Sequence, residues 1–464
     1  MVHQFMKIGL TLLGLFMTVM VTGQGHEISI TMKGSQEESV IVGYHFGKQR
    51  LVLDTLAVVD ELILIQGETS LTTGVYFIYS PKVYFEFLVE EQNFSMSFDV
   101  SDPYQTLSII GSRENELFRA FQSQMGLYQR QQRAFSDSLT RISGEDSIAV
   151  RDQLLTIGSD MSAFRKSMVE TNKGTFFSEF ISLMIGIEVP TFDSISDQGE
   201  RRLAQYDYYR SNYMQLASEP GRLMRTPVVH EYVMKYFNEM VVPQADSTIL
   251  SIDTFMESTL SDPSAFRYWL VTLFDAYQSS KIMGMDAVTV HMADKYYLSG
   301  MANWITEETK ADISKELRFI RPNLIGKPAP ELVLTDTSDR QITLAQIDNP
   351  FIILYFYDPD CGVCRKKTPL LLADYTELQS EGAEVLAVCT TTDLQKWKEY
   401  VTKNELVWWN GSDPKARSNF RVDYNVRSTP KVYVLDEQRN IIAKNLDVTQ
   451  LLSFIQDHKR LVQQ

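Results

Sequence analysis

The first part of the chain contains short apolar segments in which hydrophobic and polar residues alternate, with turn residues between them. Alternation with a period of two places every second side chain on one face, as in a half-buried strand. Eight segments follow this pattern, at residues 28–32, 40–44, 51–53, 62–65, 75–79, 83–87, 94–98 and 107–110. Their close spacing predicts an antiparallel β-sandwich over residues 26–110.

From residue 112 to residue 319 the hydrophobic positions recur at helical spacing instead. Two long stripes come first, formed by Leu117, Phe121, Met125, Tyr128, Phe135 and Leu139 and by Leu154, Ile157, Met161, Phe164 and Met168. The Ser143-Gly144 turn between them predicts an αα-hairpin. Thr226-Pro227 and Asp262-Pro263 each combine an N-cap residue with a following proline, which predicts two helix starts. We therefore expect an all-α domain over residues 112–319.

A cysteine pair lies at a predicted strand-to-helix junction in the last part of the chain. The apolar run at residues 351–357 indicates a buried strand, and residues 358–360 form a turn. Helical spacing resumes with Leu370, Leu371, Tyr375 and Leu378, so Cys361 and Cys364 fall at the helix start. Unpaired N–H groups and the helix dipole favour the thiolate there, which is the form that attacks disulfides. This arrangement indicates thiol–disulfide exchange.

The number of cysteines limits the kinds of site that the chain can form. The chain has three cysteines, and its six histidines are scattered, so no four-ligand zinc site is expected. One alternative is that Cys361 and Cys364 form a structural disulfide in an exported protein. The third cysteine, Cys389, lies in an apolar strand, where it is either a third redox thiol or an inert core residue.

Three motifs in residues 325–464 together resemble the TlpA/ResA-like branch of the thioredoxin family. Residues 325–330 with Leu332 and Leu334 are similar to its entry strand, residues 358–364 to its active site, and residues 428–430 to its cis-proline loop. The resemblance implies an α/β thioredoxin fold over residues 325–464. It also implies a cis Thr429-Pro430 bond facing the cysteines, with the Thr429 backbone pairing to an extended substrate.

The same resemblance shows two departures near the cysteines. Thioredoxins carry a buried acid where this chain has Tyr355, and ResA-type proteins carry a glutamate where it has Lys367. Proton transfer to or from the second thiol would then fall to Asp358, Asp360 or a water molecule. Asp360 disfavours a thiolate at Cys361 whereas the basic residues 365–367 favour it, so the direction of the pKa shift stays open.

The region before the thioredoxin-like residues also resembles a known type of domain. Residues 281–300 and 321–326 are similar to the uncharacterised helical domain that follows a β-rich domain in exported proteins of some Gram-negative bacteria. Residues 1–23 have the layout of a secretory signal, with Lys7, an apolar run at residues 8–21 and small residues at 21–23. We therefore expect a cleaved signal peptide and a periplasmic protein. An uncleaved membrane anchor is the alternative.

The length of the chain bears on the number of domains, and its net charge limits the classes of partner. A chain of 464 residues is too long for one domain, and its net charge of −15 argues against nucleic acid or anionic membrane partners. The sequence shows no phosphate loop or metal cluster, so no cofactor is expected. A peroxidase is disfavoured because Asp358 and Leu354 occupy positions where peroxiredoxins carry Thr or Ser and Pro.

These observations predict an exported thiol–disulfide oxidoreductase that acts on disulfide-containing envelope proteins. Cys361 would attack, Cys364 would release the product, and a membrane thiol donor would reduce the pair again. Reduction is favoured over oxidation through the resemblance alone, and isomerisation stays open. The alternative is a cell-envelope binding or assembly protein that uses its thioredoxin-like module for docking.

Overall fold

The computed structural model describes residues 25–142 and 144–462, and the predicted signal segment at residues 1–23 lies outside them. The chain divides into two compact units between Tyr236 and Phe237, a point within the predicted helical domain. The chain is β-rich at its N-terminal end, helical in the middle and thioredoxin-like at its C-terminal end. No helix in the described ranges is long and apolar enough to cross a membrane.

The first unit begins with eight strands, each of which overlaps a predicted segment. They are β1 (His26–Lys33), β2 (Ser39–Phe46), β3 (Gln49–Ala57), β4 (Leu62–Gly67), β5 (Gly74–Tyr79), β6 (Tyr84–Val89), β7 (Asn93–Asp99) and β8 (Ser108–Ile110). They form two four-stranded sheets, ordered β4-β1-β7-β8 and β3-β2-β5-β6. Ile28 and Phe98 from one sheet and Val42 and Phe85 from the other share one buried apolar cluster.

The strand directions differ from the prediction at one place. All pairs in the two sheets are antiparallel except β1 with β7, which is parallel in the register Ile28 to Phe94. The prediction of a purely antiparallel arrangement was therefore wrong for this pair. A hairpin forces neighbouring strands to run in opposite directions, whereas β1 and β7 are far apart along the chain and lack that constraint.

Helices make up the rest of the first unit. They are α1 (Pro103–Thr106), α2 (Arg113–Leu139), α3 (Glu145–Thr171), α4 (Phe176–Ile185), α5 (Gln198–Asn212), α6 (Pro220–Leu223) and α7 (Val229–Lys235). The predicted αα-hairpin is confirmed, because α2 and α3 pack together with the rings of Phe121 and Phe164 stacked 6.1 Å apart. The predicted start at Thr226 is wrong: α7 begins at Val229, and the Thr226 hydroxyl instead donates to the Leu223 carbonyl at 2.8 Å.

The second unit opens with four helices, namely α8 (Ala245–Ser258), α9 (Pro263–Gln278), α10 (Asp286–Met292) and α11 (Glu307–Ile320). The predicted start of α9 is confirmed, since the Asp262 carboxylate accepts hydrogen bonds from the N–H groups of Ser264 at 2.9 Å and Ala265 at 3.1 Å. Short π-helical turns lie at Tyr236–Met240, across the point where the chain divides, and at Ala293–Leu298.

A mixed seven-stranded sheet and its helices follow. The elements are β9 (Val333–Thr335), β10 (Gln341–Thr343), β11 (Phe351–Tyr357), α12 (Gly362–Ser380), β12 (Ala383–Cys389), α13 (Leu394–Lys403), β13 (Trp409–Ser412), α14 (Phe420–Asp423), β14 (Lys431–Leu435), β15 (Ile441–Lys444) and α15 (Leu451–Val462). The strand order in the sheet is β10-β9-β13-β12-β11-β14-β15. Helices cover both faces, so all seven residues of β11 are buried. Ile353 and Tyr355 pack on the side of α12, and Leu354 and Phe356 on the side of α14.

Candidate active site

The cysteine pair lies at the junction between the central strand β11 and helix α12. Two hydrogen bonds shape the turn between them: the Asp360 N–H donates to the Asp358 carboxylate at 2.8 Å, and the Cys361 N–H donates to the Asp358 carbonyl at 3.0 Å. Cys361 is the N-cap residue of α12 and Cys364 lies in its first turn. The sequence pattern predicted this placement, and the structure confirms it.

Cys361 is held by contacts on two sides. Its sulfur accepts a hydrogen bond from the Cys364 N–H at 3.2 Å, which is an N-cap interaction made by sulfur. Its thiol donates to the carbonyl of Thr429 at 3.2 Å, and the Thr429-Pro430 bond is cis, as the resemblance implies. Cys361 is half-buried, Cys364 is fully buried, and both are free thiols.

The two thiols differ in acidity. Partial burial opposes ionisation of Cys361, but hydrogen bonds from the side chain and the N–H of Cys364 outweigh it and hold the pKa of Cys361 below its usual value. Burial raises the pKa of Cys364 to about 12, and its hydrogen bond to the Cys361 sulfur acts in the same direction. The accessible sulfur is therefore the better nucleophile, and the buried one keeps its proton.

This difference leads to a testable expectation for alkylation by iodoacetamide. Cys361 is expected to react first, with an apparent pKa below the value of about 8.5 typical of a free cysteine. Peptide mass mapping over a range of pH measures it, and the urea-unfolded chain, in which all three cysteines should react alike, is the control. Equal rates for Cys361 and Cys364 in the folded protein would contradict the expectation.

The three residues predicted to tune the thiols have other partners. Asp360 forms an ion pair with Lys396, and Lys367 pairs with Asp447, with Nζ and Oδ2 2.6 Å apart. The Asp358 carboxylate accepts from the Thr390 hydroxyl at 3.3 Å in addition to the Asp360 N–H. Each of these three side chains is thus already engaged by a partner other than the two cysteines.

Cys389 lies in β12, where it is 1% exposed. Burial raises the pKa of its thiol to about 12. A buried protonated thiol is a poor nucleophile, so these features favour the core interpretation of Cys389 over a redox role.

Contacts with α11 hold the loop before Pro430, and no sequence pattern indicated them. The Arg427 guanidinium lies 3.9 Å from the centre of the Phe319 ring, and its Nη1 is 2.9 Å from the Glu316 carboxylate, both on α11. Asn323, just after α11, donates to the carbonyl of Asp423 at 2.9 Å. Helix α11 therefore anchors the chain that leads into Thr429. No local pattern could reveal these pairs, because the partners are distant in sequence.

Comparison with known protein families finds two matches. Residues 325–444 match the AhpC/TSA family, and residues 26–118 match a domain of unknown function (DUF4369). The second match coincides with the two sheets of the first unit and the start of α2. Because that family carries no described activity, it adds no chemistry to the site.

Known proteins resemble part of this chain. Thiol-disulfide oxidoreductase ResA of Bacillus subtilis is 33% identical over 63 residues, which are 14% of this chain and 35% of ResA. Probable nucleoredoxin 1 of Arabidopsis thaliana is 25% identical over 124 residues, which are 26% of this chain and 21% of that protein. This chain thus matches only a minor share of the length of either relative.

Among solved structures, a domain of a possible thiol-disulfide isomerase from Cytophaga hutchinsonii is 30% identical. The alignment covers 31% of this chain and 97% of that domain, with a TM-score of 0.30. The family match at residues 325–444 includes Cys361 and Cys364. Residues 325–444 thus match the thioredoxin-like AhpC/TSA family, and the chain is similar to ResA-type thiol–disulfide oxidoreductases.

Proposed function

We propose that this protein is an exported thiol–disulfide oxidoreductase that reduces disulfides in envelope proteins through Cys361 and Cys364. The observation that carries the proposal is the asymmetry of the pair. The pKa of the half-buried Cys361 is lowered, whereas burial raises the pKa of Cys364 to about 12. A nucleophilic thiol next to a protected second thiol suits a two-step exchange.

In the first step the Cys361 thiolate attacks one sulfur of a substrate disulfide. A mixed disulfide forms, and the other substrate sulfur leaves as a thiolate. In the second step Cys364 attacks the Cys361 sulfur and releases the second substrate thiol. The Thr429 backbone would pair with the extended substrate beside Cys361, which is consistent with the 3.2 Å contact between the Cys361 thiol and the Thr429 carbonyl.

The pair is then oxidised and must receive two electrons before the next cycle. A thiol donor in the membrane would supply them through a second exchange. Reduction as the direction, and export to the periplasm, rest on the TlpA/ResA-like resemblance and on the predicted signal segment at residues 1–23. Asp358, Asp360 and Lys367 would adjust the charge around the site.

The proposal is tested by the reduction potential of the Cys361–Cys364 pair together with its rate of exchange with oxidised glutathione. We expect a potential between about −120 and −280 mV with rapid exchange. A potential below about −300 mV with negligible exchange would indicate a structural disulfide instead. A cell-envelope binding or assembly role, with the thioredoxin-like module used for docking, would then account better for the chain.

A further inference from the structure

A groove lies in the second unit between the β9–β10 hairpin, helix α13 and the start of β13. Its volume is about 650 Å³, which falls within the range of about 300–1,000 Å³ that is usual for ligand-binding clefts. The residues that line it include Arg340, Val401, Val407, Trp408, Trp409 and Asn410. No step of the proposed thiol–disulfide exchange uses any of these residues.

The groove is separate from the cysteine pair. Strands β11, β12 and β13 run parallel to one another. Cys361 follows the carboxyl end of β11, whereas the groove contains Trp409, the first residue of β13. The groove and the cysteines therefore lie at opposite ends of these parallel strands, and a short segment held in the groove leaves Cys361 accessible.

The start of β13 has strand partners on one side only. Trp409, Asn410 and Gly411 are paired with β12, whereas β9 pairs with β13 at a single position, Thr335 with Ser412. The strands β9 and β13 thus diverge before Ser412, and the backbone of this described stretch has no ladder partner on the β9 side. A strand with one unpaired side is a template for another extended segment.

Two buried polar atoms of residues in the groove also lack a hydrogen-bond partner within the described residues. They are Nε1 of Trp408 and Oδ1 of Asn410, and these side chains belong to residues that are 5% and 9% exposed. The Asn410 amide nitrogen donates to the carbonyls of Leu406 at 2.9 Å and Trp408 at 2.8 Å, which fixes its orientation and leaves its oxygen available. A peptide group suits both atoms, because its carbonyl accepts a hydrogen bond and its N–H donates one.

We propose that the groove binds an extended peptide segment of another protein, which pairs with the free side of β13 at Trp409 and Asn410. In this mode of recognition the main-chain hydrogen bonds give affinity, and pockets for alternate side chains give specificity. The apolar surfaces of Val401, Val407 and Trp409 suit a large apolar side chain on the segment. The inference does not rest on the proposed exchange, since none of these residues belongs to the cysteine site.

The test detects binding at the two groove tryptophans in the full chain. Linear peptides of about twelve residues are selected from a phage-displayed library on the immobilised protein, and the enriched peptides are synthesised. Each is then titrated into protein that carries an isotopic label at its indole nitrogens, and magnetic resonance follows the signals. The chain has five tryptophans, which are Trp269, Trp304, Trp397, Trp408 and Trp409. Trp408→Phe and Trp409→Phe identify the two groove signals.

A selected peptide is expected to shift the signals of Trp408 and Trp409. The signal of Trp397 should stay in place, because its indole donates to the Tyr357 hydroxyl in the core at 3.1 Å. Val407→Asp puts a charge into the groove and should weaken binding by about tenfold or more. Leu461→Asp is the matched control, since Leu461 is 71% exposed, as Val407 is, and lies on α15; this variant should bind like the unaltered protein.

Val407 is an exposed residue, and an unchanged Trp397 signal in Val407→Asp shows that the fold is kept. Equal binding by Val407→Asp and the unaltered protein would overturn the peptide site, as would a library from which no peptide shifts Trp408 and Trp409. Shifts caused by the tetramer of N-acetylglucosamine and by no peptide would assign the groove to glycans and also overturn it. Cys361→Ser should bind the peptide as well, so loss of exchange and loss of peptide binding are distinct failures.

Discussion

Replacement of Cys361 by serine is expected to abolish disulfide exchange. Cys361 is the half-buried thiol of lowered pKa, and its sulfur lies at the N-terminus of α12 beside the Thr429 carbonyl. A serine hydroxyl is not ionised near neutral pH, so the rate should fall by about three orders of magnitude or more. The loss is measured by mixing the reduced protein with oxidised glutathione and following the rate at which glutathione forms under pre-steady-state conditions.

Two further variants separate catalysis from structure. Cys389→Ser alters a buried thiol outside the pair and is expected to retain exchange. Cys364→Ser should still form a mixed disulfide through Cys361, but should not resolve it. Substantial turnover in Cys361→Ser would mean that another thiol is the nucleophile, and it would refute the assignment.

Replacement of Lys444 by methionine is expected to lower the stability of the second unit by about 2–3 kcal/mol. The Lys444 side chain is 5% exposed and forms an ion pair with Asp286, while its Nζ also donates to the Asn323 carbonyl at 2.8 Å. Methionine fills the space but leaves the Asp286 carboxylate without its cation. Asp286 is 30% exposed, so water recovers part of the loss.

Intrinsic fluorescence measures this effect selectively. All five tryptophans lie between residues 269 and 409, so urea titration followed by their emission reports the second unit. The double variant Lys444→Met with Asp286→Asn should recover most of the stability, because the unpaired charge is gone. Arg460→Met, which breaks the exposed pair with Asp457 at 3.0 Å, is the control and should cost less than about 1 kcal/mol. Equal effects of Lys444→Met and Arg460→Met would contradict the prediction.

Much of the local structure followed from sequence because it depends on residues close together in the chain. Alternation of apolar and polar positions located all eight strands of the first unit, and the helical stripes located α2 and α3. The strand, turn and cysteine pattern placed Cys361 at the start of α12. Short-range periodicity and capping chemistry carry this information.

Pairing between distant segments could not be inferred in the same way. The parallel register of β1 with β7 depends on how two sheets close over one core. The ion pair of Lys444 with Asp286 joins positions 158 residues apart, and Arg427 reaches Glu316 and Phe319 on α11. The charge of a residue and its expected burial do not identify which distant residue it will contact.

The sequence by itself determined the class of chemistry, the local elements and the position of the two thiols, since each depends on neighbouring residues. Tertiary structure alone decided which thiol is accessible, which carboxylates are already paired, and that β9 pairs with β13 only at Ser412. These features depend on burial and on contacts across the fold, because desolvation and hydrogen bonding set the acidity of a thiol and both arise only on packing.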